Sequence, residues 1–347
     1  MAALSASVRA NKPLAAVMRA MHAIAPLHLA DKSWDNVGLL LEAPKPRTSN
    51  GVFLAIDLTA DVADELLSEK NKDVSVAVIY HPTIFRGLKS LTMSNTQQRS
   101  LLTCAAEGIS IYCPHTSLDA TPAGINDWLI FNAVGAAHTT TCPEAPTSSK
   151  DALLQQLRRP NEQWAGSPDR FARFLFDNIS TFECRPQPLQ KALNVESDEA
   201  SREGWSTAGM GRVVTLPEAI SLEGFTRAFK KAMGVDHAQM AYARGVNNET
   251  QIQTIAVCAG SGSSVLQGAK ADLWITGELS HHELLAAIET GSTSVLLLRH
   301  SVSERGFLKA ILEQRLQAIL GSQDRVEPSE DWKVVVSGQD RDPLVFV

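Results

Sequence analysis

Short apolar runs alternate with amphipathic stretches along the first part of the chain. Apolar runs of strand length predict strands at residues 52–56, 74–80 and 109–113. Apolar residues at helical spacing predict helices at residues 13–25, 60–70, 97–107 and 121–133. Because continuous apolar strands are buried on both faces, the pattern predicts an α/β fold with helices flanking the sheet.

This alternation stops over residues 138–208, which are rich in Pro, Ser, Thr, Gln and charges, with one strand-like run at 171–176. It resumes with predicted strands at 213–216, 237–242, 254–259, 273–276, 294–298 and 332–337. The helices predicted between them are 222–233, 264–270, 279–290 and 303–320. We therefore expect two α/β lobes with mixed sheets, at residues 1–137 and 209–347, joined by a variable connector. The C-terminal part is expected to pack back on the first lobe.

The composition excludes several functional classes. Of the 347 residues, 44% are hydrophobic and 20% charged, and the formal net charge is −6. A negative chain does not suit a broad nucleic-acid-binding surface. No apolar stretch reaches the roughly 20 residues of a membrane span, so no membrane partner is expected. The five cysteines show no C-x-x-C spacing and are expected to be buried free thiols.

The N-terminus gives only a weak signal about location. Its first 30 residues contain Arg9, Lys12 and Arg19 but no acid, which weakly resembles a mitochondrial presequence. The better interpretation is that this region contains the first helix of the fold. We expect a cytoplasmic protein, with a mitochondrial location as the alternative and a nuclear one left open.

Candidate metal ligands follow two predicted strands of the first lobe. His81 comes directly after the strand at 74–80, and His115 follows the strand at 109–113. Asp119 lies four residues further on, in the expected loop before the next helix. Ligands in open α/β sheets lie beyond the carboxyl ends of strands. The alternative is that His81 and Asp119 only cap a strand and a helix.

The second lobe repeats this arrangement. His300 follows the strand at 294–298, and Glu304 is four residues later, so a helical turn would put both on one face. Imidazole and carboxylate groups together suit divalent metals. Stabilisation of a helix start by Glu304 is the alternative. We expect the two lobes to share one metal site in a cleft.

Two further segments carry candidate residues. The turn containing Gly260, Gly262 and Ser263 could bind an anion with its backbone amides, although a tight structural turn is the stronger interpretation. Glu278 and His281 follow the strand at 273–276 and could line the site as acid or base groups. A solvated helix start explains them equally well.

Several of these segments resemble the signature blocks of the NIF-three-like (NGG-one-interacting factor three) family. The blocks occur in the family's order and cover most of the chain except the connector. They are residues 33–39, 80–89, 114–119, 259–264, 276–283 and 300–306. The resemblance implies two α/β lobes around a dinuclear metal centre, within a homo-oligomer.

The family's metal ligands correspond here to His81, Asp119, His300 and Glu304, with Asp119 and Glu304 also as catalytic candidates. The first histidine of a His-His pair is replaced by Tyr80, and a phenol with an ordinary pKa of about 10 is a poor ligand. Tyr80 could point away, line the site or weaken one metal position. His115 could be an additional ligand or a partner of one.

Two functions are compatible with this resemblance. The first is a metal-dependent hydrolase with two divalent ions (zinc, iron or manganese), similar to GTP cyclohydrolase I type 2 and acting on a nucleotide or phosphorylated small molecule. The cyclohydrolase activity rests on the resemblance alone. The second is a non-catalytic metal-binding protein that regulates or contacts a protein partner.

Overall fold

The computed structural model describes residues 4–141, 187–191, 205, 207–289, 291–323 and 332–347. They fall into two compact units. The described residues of Met1–Leu118 and Phe307–Arg341 form unit 1, and those of Asp119–Gln156, Ser167–Gly306 and Asp342–Val347 form unit 2. Most of the predicted connector, with its strand at 171–176, lies outside the described residues. The domain boundaries drawn from the sequence stay a prediction.

Each unit is built around a five-stranded mixed sheet. The strands are β1 Gly38–Leu41, β2 Gly51–Ala55, β3 Val74–Ile79, β4 Ser110–Cys113, β5 Gln190–Lys191, β6 Gly209–Met210, β7 Arg212–Ser221, β8 Gln239–Ala241, β9 Gln251–Ser261, β10 Leu273–Glu278, β11 Ser294–Leu297 and β12 Lys333–Val336. In unit 1 the strand order is β1-β4-β3-β2-β12, and in unit 2 it is β7-β9-β10-β11-β8. The predicted fold class, α/β with mixed sheets flanked by helices, is confirmed.

Most of the predicted helices are present among the described residues. The α-helices are Ala6–Ala10, Lys12–Ile24, Ala60–Leu66, Thr96–Ala106, Thr116–Ala120, Ile125–Thr141, Leu222–Met233, Ser263–Leu266, His281–Ile288, Val302–Phe307 and Glu313–Gln323. Shorter 3-10 segments occur at Leu27–Leu29 and Glu69–Asn71, and a π-helical segment at Leu308–Leu312 interrupts the long helix predicted over 303–320.

The sheet of unit 1 has a parallel centre and an antiparallel edge. Strands β12, β2, β3 and β4 run parallel, and β1 pairs antiparallel with β4. Every residue of β2, β3 and β4 is buried, as expected for strands covered on both faces. Since parallel neighbours end at the same edge of a sheet, the residues that follow β2, β3 and β4 are brought to one rim.

The sheet of unit 2 has the same general form. Strands β9, β10 and β11 run parallel, while β7 and β8 pair antiparallel at the two edges. Helix Leu222–Met233 begins and ends where predicted, because Ser221 Oγ accepts a hydrogen bond from Gly224 N and Gly234 adopts φ +67°. Its buried Phe225 and Phe229 rings stack 5.5 Å apart.

The helix predicted over 121–133 is wrong in its position. A short helix covers Thr116–Ala120, and the long helix begins only at Ile125 and continues to Thr141. Ala123 interrupts them with φ +59°, and Asp127 Oδ2 fixes that turn by accepting from Ala123 N at 2.7 Å. Asp119 therefore lies in a short helix and not in the predicted loop.

The described cysteines agree with the prediction of free thiols. Cys104, Cys113 and Cys258 are buried thiols that form no disulfide, and burial raises the pKa of Cys104 to about 12. Cys142 and Cys184 lie outside the described residues. No helix in the described ranges combines the length and apolar character needed to cross a lipid bilayer.

A buried ion pair links the long helix of unit 2 to its sheet. Asp127 accepts two hydrogen bonds from Arg212 on β7, at 2.6 and 2.8 Å, and both residues are buried. Arg212 also donates to the backbone oxygens of Gly209 and Gly211. The guanidinium is thus held in place from several sides, with Asp127 as its counter-charge.

We predict that Asp127→Ala lowers the free energy of unfolding by about 3–5 kcal/mol, because it leaves a buried guanidinium without its carboxylate. Urea denaturation measures the loss. The control is Glu223→Ala, which breaks an exposed ion pair with Arg227 and should cost less than about 1 kcal/mol. Equal losses for the two variants would contradict this assignment.

Candidate metal centre

The first candidate ligand, His81, lies just past the end of β3. Backbone pairing continues beyond the strand, with Tyr80 N donating to Ala55 O and His81 N to Ile56 O, both at 2.9 Å. This pairing places His81 beside Asp57, which follows β2. His81 Nδ1 lies 2.9 Å from Asp57 Oδ1. Since a carboxylate only accepts, Nδ1 carries the proton and Nε2 is the nitrogen that can coordinate.

His115 is held in the same way beyond the end of β4. Its Nδ1 lies 2.7 Å from Asp35 Oδ1, and Asp35 Oδ2 accepts from Thr116 N at 3.2 Å. Burial raises the pKa of Asp35, but the hydrogen bonds from His115 and Thr116 outweigh this and keep it below its ordinary value. Asp35 is therefore ionised at neutral pH.

Tyr80 lines this part of unit 1. Its side chain is buried, and its ring centroid lies 4.9 Å from that of His81 and 5.4 Å from that of His115. The two histidine rings are 5.5 Å apart. The Tyr80 ring is therefore packed against both histidines, and its role in a metal site stays a prediction.

Unit 2 carries the second pair of candidate ligands. His300 Nε2 lies 3.5 Å from Glu304 Oε1, and His300 Nδ1 lies 2.9 Å from Glu278 Oε1. Glu304 is buried, whereas Glu278 is more than half exposed. The four-residue spacing thus does bring His300 and Glu304 together, and this His/Glu pair could bind one metal ion.

Two glycines make room for this pair. Gly260, the last residue but one of β9, has φ +65°, and a Cβ at this position would lie 2.5 Å from Glu304 Oε1 and 3.2 Å from His300 Nε2. A Cβ on Gly277 would lie 2.8 Å from His300 Cα. A larger residue at Gly260 would displace the Glu304 side chain, and one at Gly277 would displace the backbone of Gly260 or His300.

The amides of the glycine turn already have acceptors. Gly260 N donates to Ser303 Oγ at 2.8 Å, and Gly262 N donates to Thr276 Oγ1 at 3.1 Å. The helix that follows, beginning at Ser263, has only four residues. The anion site at Gly260, Gly262 and Ser263 stays a prediction, and the contacts favour the interpretation as a structural turn.

Asp119 is buried near the end of β9. Its backbone oxygen accepts from Asn126 Nδ2 at 3.1 Å, and Asn126 Oδ1 accepts from Ala259 N at 2.9 Å. Burial raises the pKa of the Cys258 thiol, and the carboxylates of Asp119 and Glu304 raise it further. Both carboxylates therefore lie near the same thiol.

Glu278, the last residue of β10, contacts His300, and His281 does not share this position. His281 is exposed at the start of helix His281–Ile288, with its ring 5.4 Å from that of His282. Glu278 is better placed to orient a ligand than to exchange protons with a substrate, because its carboxylate is already hydrogen-bonded to His300.

The C-terminal residues support the turn that carries His300. Arg299 adopts φ +78°, which is unusual for a residue other than glycine. The Phe346 ring lies 5.1 Å from the Arg299 guanidinium carbon, and Asp342 accepts from Ser301 Oγ at 2.8 Å. Arg299 also donates to the backbone oxygen of Leu344. Contacts on both sides of His300 thus restrict its backbone.

Sequence reasoning missed the carboxylates that orient the histidines of unit 1, Asp57 and Asp35. A signal existed for Asp57, because it directly follows an apolar strand run as His81 does. Asp35 lay within a recognised block but had no assigned role. Nothing in the sequence pattern pointed to Asp342 and Phe346, whose contacts depend on the path of the last residues.

The fold and the candidate site together define a class of protein. It is an α/β protein of two units, and past the strand ends of each sheet lie histidines that are hydrogen-bonded to carboxylates. A sequence profile of the family Duf34/NIF3 (NGG1p interacting factor 3) matches residues 13–337. The chain belongs to this family, and the resemblance seen in the sequence is confirmed.

Named relatives match over nearly the whole chain. The protein NIF3 homolog of Schizosaccharomyces pombe is 38% identical over 317 residues, covering 91% of each chain. NIF3-like protein 1 of Homo sapiens is 33% identical over 357 residues, covering 92% of this chain and 93% of its own.

Solved structures share the fold at lower identity. A Bacillus cereus protein related to NIF3 is 20% identical, with a TM-score of 0.63 over 95% of this chain and 98% of its own. Reduced HcgD from Methanocaldococcus jannaschii is also 20% identical, with a TM-score of 0.57 over 92% and 95%.

We predict that Gly260→Ala destabilises the protein more than Gly268→Ala. Both glycines have positive φ, but a Cβ on Gly268 meets nothing within 4 Å, so that variant tests backbone strain alone, about 1–2 kcal/mol. The clash with Glu304 and His300 should add about 1–3 kcal/mol. Urea denaturation gives both values, and an equal loss would show that Glu304 can move aside freely.

Proposed function

We propose that His81, His300 and Glu304 bind one divalent metal ion and that the protein is a metal-dependent hydrolase. The observation that carries this proposal is the orientation of His300: Glu278 holds its Nδ1, and its Nε2 faces Glu304 at 3.5 Å. Metal-binding histidines almost always donate their second nitrogen's proton in this way. His81 has the same arrangement with Asp57.

The donor set fits a divalent ion by its chemistry. Two imidazole nitrogens and one carboxylate oxygen suit zinc, iron or manganese. When bound, such an ion lowers the pKa of water and polarises a carbonyl or phosphoryl group. The glycine at 260 leaves the space that Glu304 and His300 occupy, which supports a site selected for these two side chains.

In this mechanism the chain's own residues orient the ligands and handle a proton. Glu278 and Asp57 keep the Nδ1 proton on His300 and His81. Asp119 and Glu304 are the catalytic carboxylates, and we assign to Asp119 the proton that hydrolysis removes from water. The resemblance noted in the sequence supports this assignment, because it makes Asp119 one of the site carboxylates.

The substrate class and the second ion belong to the same proposal. A nucleotide or phosphorylated small molecule, opened or hydrolysed as in GTP cyclohydrolase I type 2, follows from the resemblance noted in the sequence. The two ions expected from that resemblance would need further ligands beside His81, where His115 and Tyr80 lie. Because a phenol is a weak ligand, we propose that the second position is weak in this protein.

The alternative is a non-catalytic metal-binding protein that contacts a partner. The position of Tyr80 favours this alternative, because a buried phenol packed on His81 and His115 leaves fewer ligands for a catalytic pair of ions. A homo-oligomer is proposed in either case. The two functions differ in one outcome: the alternative requires metal occupancy without turnover.

We predict that Glu278→Gln weakens metal affinity by about 10- to 100-fold, because a neutral amide oxygen accepts the Nδ1 proton of His300 less strongly than a carboxylate does. Competition with a chromophoric chelator measures the affinity for zinc and manganese. His282→Ala, an exposed histidine in the same unit, is the matched control and should leave affinity unchanged. Wild-type affinity in Glu278→Gln would remove the main support for the site.

Turnover is tested by measuring the rate at which the metal-loaded protein hydrolyses nucleoside triphosphates. The comparison variants are Asp119→Ala and His282→Ala. We expect activity in the wild type and in His282→Ala, and its loss in Asp119→Ala with metal still bound. Equal turnover in Asp119→Ala would contradict the assigned role. Full occupancy with no turnover on any triphosphate would favour the non-catalytic alternative.

Tyr80→His should raise the metal content from one ion per chain towards two, because it replaces a phenol by an imidazole beside His81 and His115. Elemental analysis of protein dialysed against zinc or manganese counts the ions. Tyr80→Phe keeps the ring without a donor and should still bind one. Two ions in the wild type, or one ion in Tyr80→His, would contradict the proposed effect of this residue.

A further inference from the structure

Trp34 in unit 1 is a large exposed aromatic residue that is nevertheless fixed in place. Its side chain is 51% exposed, yet its indole Nε1 donates to Asp31 Oδ2 at 2.9 Å. Asp31 is held in turn by Ser33, whose backbone N and Oγ both donate to Asp31 Oδ1. The one polar atom of the indole is therefore satisfied internally, and what remains exposed is the apolar ring.

The turn that carries Trp34 is joined to the candidate metal centre. Asp31 N donates to Thr116 Oγ1 at 3.1 Å, and Thr116 Oγ1 donates to Asp35 Oδ2, the carboxylate that holds His115. The Trp34 ring stands edge-on to the His115 ring, with centroids 5.8 Å apart. The position of the indole is thus coupled to that of a histidine in the site.

Phe85 extends this exposed aromatic surface. It is 48% exposed, and its ring centroid lies 6.0 Å from that of Trp34. Rings of this kind lose little conformational freedom when a ligand binds, and their faces favour stacking with planar π systems. We call the exposed rings of Trp34 and Phe85 the aromatic platform.

The segment around the platform is locally basic in a chain of net charge −6. Residues 81–106 contain Arg86, Lys89 and Arg99 but no Asp or Glu. Arg86 and Lys89 are exposed and follow Phe85 closely in the sequence. The carboxylates beside the indole, Asp31 and Asp35, already accept hydrogen bonds from neighbouring groups. The exposed charges that follow Phe85 are positive, which favours an anionic group on a ligand that stacks on the platform.

We propose that the aromatic platform binds the planar ring of a small aromatic anion, such as the base of a nucleotide. Trp34 and Phe85 supply the stacking surface, and the basic segment attracts the negative charge. The proposal rests on unit 1 alone and does not require a bound metal. It deepens the proposed function only in that the ring would be placed next to His115.

Binding of AMP to the full chain tests this proposal, measured by isothermal titration calorimetry on metal-free and metal-loaded protein. Adenosine retains the ring without the charge, and ribose 5-phosphate retains the charge without the ring. We expect AMP to bind more tightly than adenosine, and ribose 5-phosphate to show no measurable binding. Equal affinities for AMP and ribose 5-phosphate would overturn the stacking role.

Variants then locate the ring. Trp34→Ala should weaken AMP binding about 5- to 150-fold, the equivalent of the ~1–3 kcal/mol that stacking one base on an aromatic side chain contributes. Trp34→Phe keeps a ring and should recover most of the affinity. Leu88→Ala, an equally accessible apolar residue of the same segment, should change little.

Unchanged AMP affinity in Trp34→Ala would overturn the proposal. If the sedimentation behaviour of that variant changed as well, a second copy of the chain would be what covers the platform. If AMP still binds after metal removal, the platform is supported. If the protein also fails to bind metal tightly, the metal site is refuted while the platform stands. The two proposals therefore fail separately.

Discussion

The hydrogen bond between a carboxylate and the Nδ1 atom of a histidine is the interaction on which the candidate site depends. Within the described part of the chain it joins His81 to Asp57, His115 to Asp35, and His300 to Glu278. In each case it fixes the tautomer and the direction of the ring. Without it, each ring could rotate, and a bound metal ion would have to order the ring that it contacts.

Parallel strands explain how this interaction arises in both units. Parallel neighbours end at the same rim, so a carboxylate after one strand meets a histidine after the next. This relation joins Asp57 after β2 to His81 after β3, and Glu278 on β10 to His300 after β11. The candidate ligands must also be able to approach the end of β9 closely. In unit 2 Gly260 permits this approach, since a side chain at that position would occupy the place of Glu304.

Much of this could be predicted from the sequence, but only where the information is local. The apolar run ending at Tyr80 gave the strand and the position of His81, and the four-residue spacing of His300 and Glu304 gave their pairing. The register of β2 against β3 brings Asp57 to His81, and this register cannot be predicted from the sequence of either strand alone. The role of Gly260 likewise depends on an approach between residues more than forty positions apart. The break between helices Thr116–Ala120 and Ile125–Thr141 was missed because it depends on Ala123. Alanine normally favours helix, but this one takes a left-handed conformation.

The most direct test of the account is an anomalous-difference map from a crystal grown with zinc or manganese, collected on both sides of the metal's absorption edge. The account predicts a peak within about 2.0–2.2 Å of the Nε2 atoms of His81 and His300 and of a Glu304 carboxylate oxygen. A fully ordered site with no peak there, or a peak bound by other residues, would contradict it.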